Sequence, residues 1–218
     1  MPTLLNNSTQ KALTTVARLK TFLGITRDNQ DSLFTMLINQ VTGFIERYTK
    51  RSLLRQTYTN ELYDGSGTSE LLLLQFPVSS FSTLQENAAS DNTSDWQTIN
   101  GTDYFVDLPK GIIKLVRNTN AFDAEPWGKF LARPQKYRAT YTAGYLIDFD
   151  NENTPASHTL PQEIEYACLK LCAALWNTRR AEGLTQSRLG DLGVSFKQAI
   201  MNDEETRAIL DKYAAPTI

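Results

Sequence analysis

Few side chains in this sequence have the types and spacing that chemistry needs. Cys168 and Cys172 are its only cysteines and stand four apart in a helical pattern. They could form half of a metal site, but His158, in a polar loop, is the one histidine available to complete it. An i, i+4 pair on a helix also suits the narrow geometry of a disulfide poorly. The pair reads as two small apolar core residues. Asp148, Asp150 and Glu152 alternate like part of a calcium loop, without its sixth-position Gly or its closing Glu, and read as a solvated loop. Asp203, Glu204 and Glu205 fit helix capping. DGSGTS (64–69) lacks the Lys-Ser/Thr of a phosphate-binding loop and lies between two apparent strands, so it reads as a hairpin turn. His158 has neither a nucleophile elbow nor a metal motif beside it and reads as a surface residue. No catalytic, cofactor-binding or metal site is expected, which moves the seat of function to the surface.

Composition narrows the surface's possible partners. The formal charge of the 218 residues is −2, and no block of Lys or Arg stands out, so a tight grip on nucleic-acid phosphate is not expected. No run of eighteen apolar residues occurs, and no membrane span is expected. The start, MPTLLNNSTQKALTT, lacks the basic end and apolar core of a signal peptide, so synthesis in the cytoplasm follows. A chain of this length buries enough surface to fold without disulfides or metals.

The elements fall into three blocks. Thr14 or Thr15 caps a first helix with Val16, Leu19, Phe22 and Leu23 on one face, stopped by Gly24. Asp28 and Asp31 open a second, with Leu33, Leu37, Val41, Phe44, Ile45 and Tyr48 at helical spacing and Arg47, Lys50 and Arg51 at its end. That polarity complements the helix dipole. From Arg55 the period changes to two: strands are expected near 57–63, 70–76, 78–84, 103–108, 112–116 and 136–145, with 86–95 a polar tip. The last strand alternates Tyr137, Ala139, Tyr141 and Ala143 with Arg138, Thr140 and Thr142. Helical signals return at Pro161, with an Ile164, Cys168, Leu171, Leu175 stripe bordered by Trp176. A final helix is expected from an Asn202–Glu205 capping box to Tyr213. The fold class is α+β: a helical bundle made by the N- and C-terminal segments (1–54 and 155–218) with an antiparallel β-rich insertion (55–154) between them.

The order of these segments resembles the head–tail connector (adaptor, head-completion) proteins of tailed double-stranded DNA bacteriophages. The resemblance rests on LTTVARLKTFLGI (13–25), Asp31 and Leu33, FIERYTKRSLLRQTYTNELYDG (44–65) and LLLLQFPVSS (71–80). It continues through ATYTAGY (139–145), LPQEIEYACLKLCAALWNTR (160–179), SRLGDLGVSF and the closing ILDKY. Membership would imply a structural neck protein, not an enzyme, forming a ring, commonly of twelve copies, that docks on the portal. Such a ring would extend the DNA channel and offer a platform to the next neck or tail protein in the virion. DNA would pass without tight binding, no membrane would be involved and no cofactor would be needed. Ring contacts are heterologous, one face meeting a different face of the neighbour.

The candidate partner contacts are Leu192, Val194 and Phe196, in GLTQSRLGDLGVSFKQ (183–198), and Trp127, in the Pro/Gly-bearing FDAEPWGKF. The 183–200 segment could equally pack on its own bundle, and for Trp127 packing over its own sheet is the favoured alternative. Two other classes compete. A DNA-binding packaging protein, like a terminase small subunit, would use residues 14–49 as a helix-turn-helix, although Asp28, Asp31, Leu33 and Phe34 stand where a recognition helix needs polar and basic residues. A carbohydrate-active enzyme would need converging carboxylates in the β-rich insertion, for which no residue pattern speaks.

Overall fold

In a computed structural model, residues 12–88, 95–116, 128–149, 158–182 and 203–215 are described. The chain divides into two compact units, Met1–Arg51 with Leu146–Ile218, and Ser52–Tyr145. Among the described residues the first is helical and the second is built of antiparallel strands, an α+β composition.

The helical unit begins where Thr15 takes an extended conformation and accepts the Arg18 N–H at 3.3 Å, capping α1 (Val16–Leu23). Gly24 ends it at φ +66°, a left-handed turn open to glycine at little cost. α2 (Asp31–Thr49) buries Phe34, Leu37, Ile38, Val41, Thr42, Ile45 and Thr49. α3 (Gln162–Glu182) buries Ile164, Cys168, Leu171 and Leu175, the whole expected stripe, and sets Trp176 against Phe34 at 5.0 Å between centroids. Full burial of each such aliphatic side chain is worth about 1.5–3 kcal/mol, so this seam dominates the stability of the unit.

α4 (Glu204–Lys212) starts at Asp203, whose carboxylate accepts the Thr206 N–H at 3.4 Å and hydroxyl at 2.6 Å. The cap is therefore Asp203 and not Asn202. Glu205 does not reach back to cap; it accepts from Lys170 at 2.8 Å. At the other end Lys212 donates to Glu163 at 2.7 Å, so α4 runs antiparallel along α3. Tyr48 of α2 donates to Asp211 at 2.6 Å, and Leu210 is fully buried. α1 differs from expectation in its width: Leu19 is buried, but Phe22 is 43% exposed.

The second unit holds two sheets: a four-stranded sheet in the order β1 (Gln56–Tyr63), β7 (Tyr137–Ala143), β3 (Val78–Asn87), β4 (Trp96–Thr98), and a three-stranded sheet in the order β2 (Glu70–Leu72), β6 (Ile112–Leu115), β5 (Tyr104–Asp107). β7 lies between β1 and β3 and is the most regularly buried strand of its sheet. Tyr137, Ala139, Tyr141 and Ala143 all face inward, as their alternation predicts. One core serves both sheets, with Phe81 of the larger meeting Tyr104 of the smaller edge to face at 5.7 Å.

The strands correct three readings. Asp64–Gly65 is not a hairpin turn, since β1 pairs with β7 and β2 belongs to the other sheet. The 64–69 loop crosses between sheets. It is pinned by Gly65 N–H to Arg133 carbonyl (2.9 Å) and by Gln135 N–H to Asp64 (2.7 Å). β2 also stops at Leu72, short of the expected 76, and β4 arises where no strand was expected.

Candidate assembly surfaces

The residues with chemical potential resolve mostly into structure. Cys168 and Cys172 are buried, free thiols; Cys172's hydrogen bond, then burial, pushes the Cys168 thiol well above its ordinary range. His158 is half-buried, and its Nδ1 accepts the Asp148 N–H at 3.2 Å while its ring meets Phe149 at 5.2 Å. It pins a loop and is not a free surface group. Asp150 and Glu152 lie outside the described residues, as do Leu192, Val194, Phe196 and Trp127. Among the described residues no group of three His, Cys, Asp or Glu could hold a metal ion, and no helix is long and apolar enough to cross a membrane.

One polar cluster was not foreseen. Within the β-built unit Tyr141 donates to Glu61 Oε2 at 2.5 Å, Tyr63 donates to the same oxygen, and the two phenols stand 2.8 Å apart. Burial first, then the Glu61 hydrogen bond, raises both phenols far above their ordinary range. Leu74 N–H reaches Tyr63 as well, and Tyr58 stacks on Tyr141 at 5.2 Å. With its hydrogen bonds made internally, the cluster fixes how β1 lies on β7. Tyr137 is similar: it accepts the Leu131 N–H at 2.8 Å, and burial pushes its phenol up to about 12. No sequence spacing signals this cluster, because Glu61 and Tyr141 are eighty residues apart.

The helical unit is held by ion pairs that define its outer faces. Arg18 grips Glu165 through Nε at 2.5 Å and through its terminal nitrogen at 2.9 Å, while the Thr14 hydroxyl donates to the same carboxylate. Glu165 is almost wholly buried; Arg18 is more than a third exposed. Lys20 joins Asp28 and Asp31, tying α1 to the start of α2. That start shows acid and then the buried Phe34, a surface unlike one that reads base edges.

Between α3 and α4 runs an open groove of about 520 Å³, lined by Glu163, Tyr166, Glu205, Ala208, Ile209 and Lys212, with Gln162 at its end. Phe22 of α1 meets Tyr166 edge to face at 6.3 Å, extending the apolar surface. On α2 the exposed positions are Ser32, Thr35, Met36, Asn39, Gly43, Arg47 and Lys50 at its close, with Met36 51% exposed. Among the described residues of the β-built unit Phe105 is the most exposed large apolar one, at 60%, on the outer row Glu70–Lys114–Phe105 of the three-stranded sheet.

Comparison with known proteins bears on what such surfaces serve. The head completion protein family matches residues 12–214 of this chain. A chain from a structure described as the neck of an empty GTA particle, computed with C6 symmetry, superposes with a TM-score of 0.51 at 13% identity. The match covers 97% of this chain and 92% of that one, a likeness of fold. A chain from the neck of the native GTA particle, computed with C12 symmetry, gives a TM-score of 0.48 at 13% identity over the same shares. No curated protein matches the chain.

Proposed function

We propose, because this chain belongs to the head completion protein family, that it is a non-enzymatic neck protein of a phage particle. It forms a ring of its own copies that docks on the portal, continues the DNA channel and receives the next neck or tail protein. Twelve copies is the number that the family resemblance implies. The observation that carries this reading is the extent of the family match, nearly end to end and through both units. The fold it shares with a neck chain supports the same reading.

The chemistry of the chain is consistent with that role. With a net charge of −2, copies arranged around a channel would present no collective grip on DNA phosphate, which a passing genome requires. The helical unit serves as the ring-building body and the β-built unit as an outward module. Leu192, Val194, Phe196 and Trp127 are proposed contacts with the portal or the next neck protein.

The test is addition of the purified protein to DNA-filled heads that carry portals but lack a neck. Cosedimentation with the heads, and a ring below the portal by electron microscopy, are the expected results. A protein that remains monomeric and does not sediment with the heads would overturn the reading. A salt-sensitive shift of free DNA by the isolated protein would favour the packaging-protein alternative instead.

A further inference from the structure

The helical unit carries two unlike faces on opposite sides. α2 and α3 pack through their buried stripes, with Phe34 on Trp176 and Thr42 beside Cys168. At 100° per residue the exposed positions of α2 (Ser32, Met36, Asn39, Gly43, Arg47) lie about 160° from the centre of its buried stripe. The exposed positions of α3 (Gln162, Glu163, Tyr166, Asn177) likewise lie opposite its own stripe. The α2 stripe and the α3–α4 groove therefore point away from each other. A ring needs such an arrangement, because a heterologous contact joins two different patches and closes only if each subunit shows both.

Their chemistry is complementary. The groove has an apolar floor of Tyr166, Ala208 and Ile209, and Phe22 of α1 stands beside Tyr166; Phe22 and Tyr166 are 43% and 40% exposed. Its lining holds Glu163 and Glu205 against Lys212, and Lys170 pairs with Asp203 and Glu205 where α4 starts, with Glu204 in the same first turn. The α2 stripe offers one prominent apolar side chain, Met36, and its exposed charges are Arg47 and Lys50. Met36 and Arg47 are about 16 Å apart along α2, so the apolar and charged contacts fall at separate points along the groove.

Resting on the ring reading above, we propose that these two faces are the halves of the subunit contact: the occupant of the α3–α4 groove is the α2 stripe of a second copy of this chain. Met36 seats on Tyr166 and Ile209, next to Phe22. Arg47 and Lys50 lie toward the carboxylates at the start of α4. Thioether on aromatic and cation beside carboxylate are both favourable contacts, and their separation fixes the direction in which one copy follows the next.

Two experiments on the full chain test the assignment. In the first, a Met36→Cys, Ala208→Cys double variant is assembled on portal-bearing heads and oxidised; the native thiols are buried and do not compete. A ladder of covalent multimers is expected from the double variant, and monomers from either single variant. Dimers from Met36→Cys alone would mean that the α2 face meets itself, which overturns the proposal. In the second, Arg47→Glu with Lys50→Glu raises the concentration needed for assembly by ~tenfold or more, and so does Glu204→Lys with Glu205→Lys. Their equimolar mixture assembles near the wild-type concentration, because every contact in an alternating ring is again of opposite charge. If wild-type rings form but the charge variants assemble normally and no ladder appears, the faces are wrong and the ring stands. If wild-type protein makes no ring on heads, the functional reading itself falls.

Discussion

Arg18 and Glu165 should respond unequally to removal, and the inequality follows from their exposure. Arg18→Met leaves a carboxylate whose side chain is 6% exposed with only the Thr14 hydroxyl as an identified partner. Breaking a buried pair typically costs 3–5 kcal/mol. Because the Arg18 side chain is 38% exposed, water reaches the edge of the site, and the lower figure, ~3 kcal/mol, applies. Glu165→Gln instead keeps an acceptor for both Thr14 and Arg18, and the guanidinium can turn into solvent, so the loss is ~1 kcal/mol. The double variant Arg18→Met, Glu165→Met leaves no charge behind and removes the acceptor of the Thr14 hydroxyl. It should lose ~1–2 kcal/mol, less than Arg18→Met alone. The assay is urea unfolding followed by Trp176 fluorescence, with Trp96 and Trp127 replaced by Phe so that the signal comes from the helical unit. At a slope of ~2 kcal/mol per molar urea, the Arg18→Met midpoint falls by ~1.5 M, and the second substitution recovers part of that shift. Equal losses in Arg18→Met and Glu165→Gln would refute the reasoning. So would a double variant less stable than Arg18→Met, because stranded charge would then not be the cost.

Three further outcomes follow from other parts of the molecule. Gly65→Ala should destabilise the β-built unit by at least ~3 kcal/mol, read by thermal unfolding, because a Cβ there would stand 1.6 Å from the Leu131 carbonyl oxygen and backbone would have to move. Acidification should release α4 early. Lys212 and then Tyr213 hold Glu163 below the ordinary carboxylate range, and Lys170 and then Thr206 do the same for Asp203. A carboxylate lowered in the fold stabilises it fully above the unfolded value of about 4 and loses that contribution as pH falls through the folded value. Hydrogen exchange in residues 203–215, corrected for intrinsic rates, should therefore rise below about pH 4 before that of α2, and an unchanged order would count against the clamp. Deletion of residues 186–198 should weaken cosedimentation with portal-bearing heads while leaving the urea midpoint within ~0.5 M; unchanged docking would remove Leu192, Val194 and Phe196 as contacts.

What could be read from the sequence was what a single element decides by itself. The alternation in 137–143 and the stripe in 164–175 gave correct inward faces, because each reflects one element against one core. Pairing partners were not readable in the same way. Asp64-Gly65 has the residues of a hairpin turn, yet Tyr63 pairs with Tyr137, more than seventy residues on, and the loop serves a crossing between sheets. Trp96–Thr98 is a strand only because Gln85–Asn87, paired with the end of β7 along one edge, offers its other edge. The Asn202–Glu205 spacing met a capping rule that Asp203 satisfies one residue later, since Lys170 had already claimed Glu205.

The assembly surfaces fall between these cases. Burial leaves a periodic signature, but exposure is permitted almost anywhere, so Phe22 looked like a core residue and Met36 carried no signal at all. Their meaning depends on the phases of three helices taken together. Once Phe34 and Trp176 fix the phases of α2 and α3, and Tyr48, Glu163 and Lys170 are engaged by α4, the positions left exposed on the two helices lie on opposite sides. On the proposed subunit contact, the packing that buries the core would also set where a neighbour binds. Any substitution that rotated α2 against α3 would misalign both faces at once, so core variants at Phe34 or Trp176 should impair ring assembly more steeply than they impair folding.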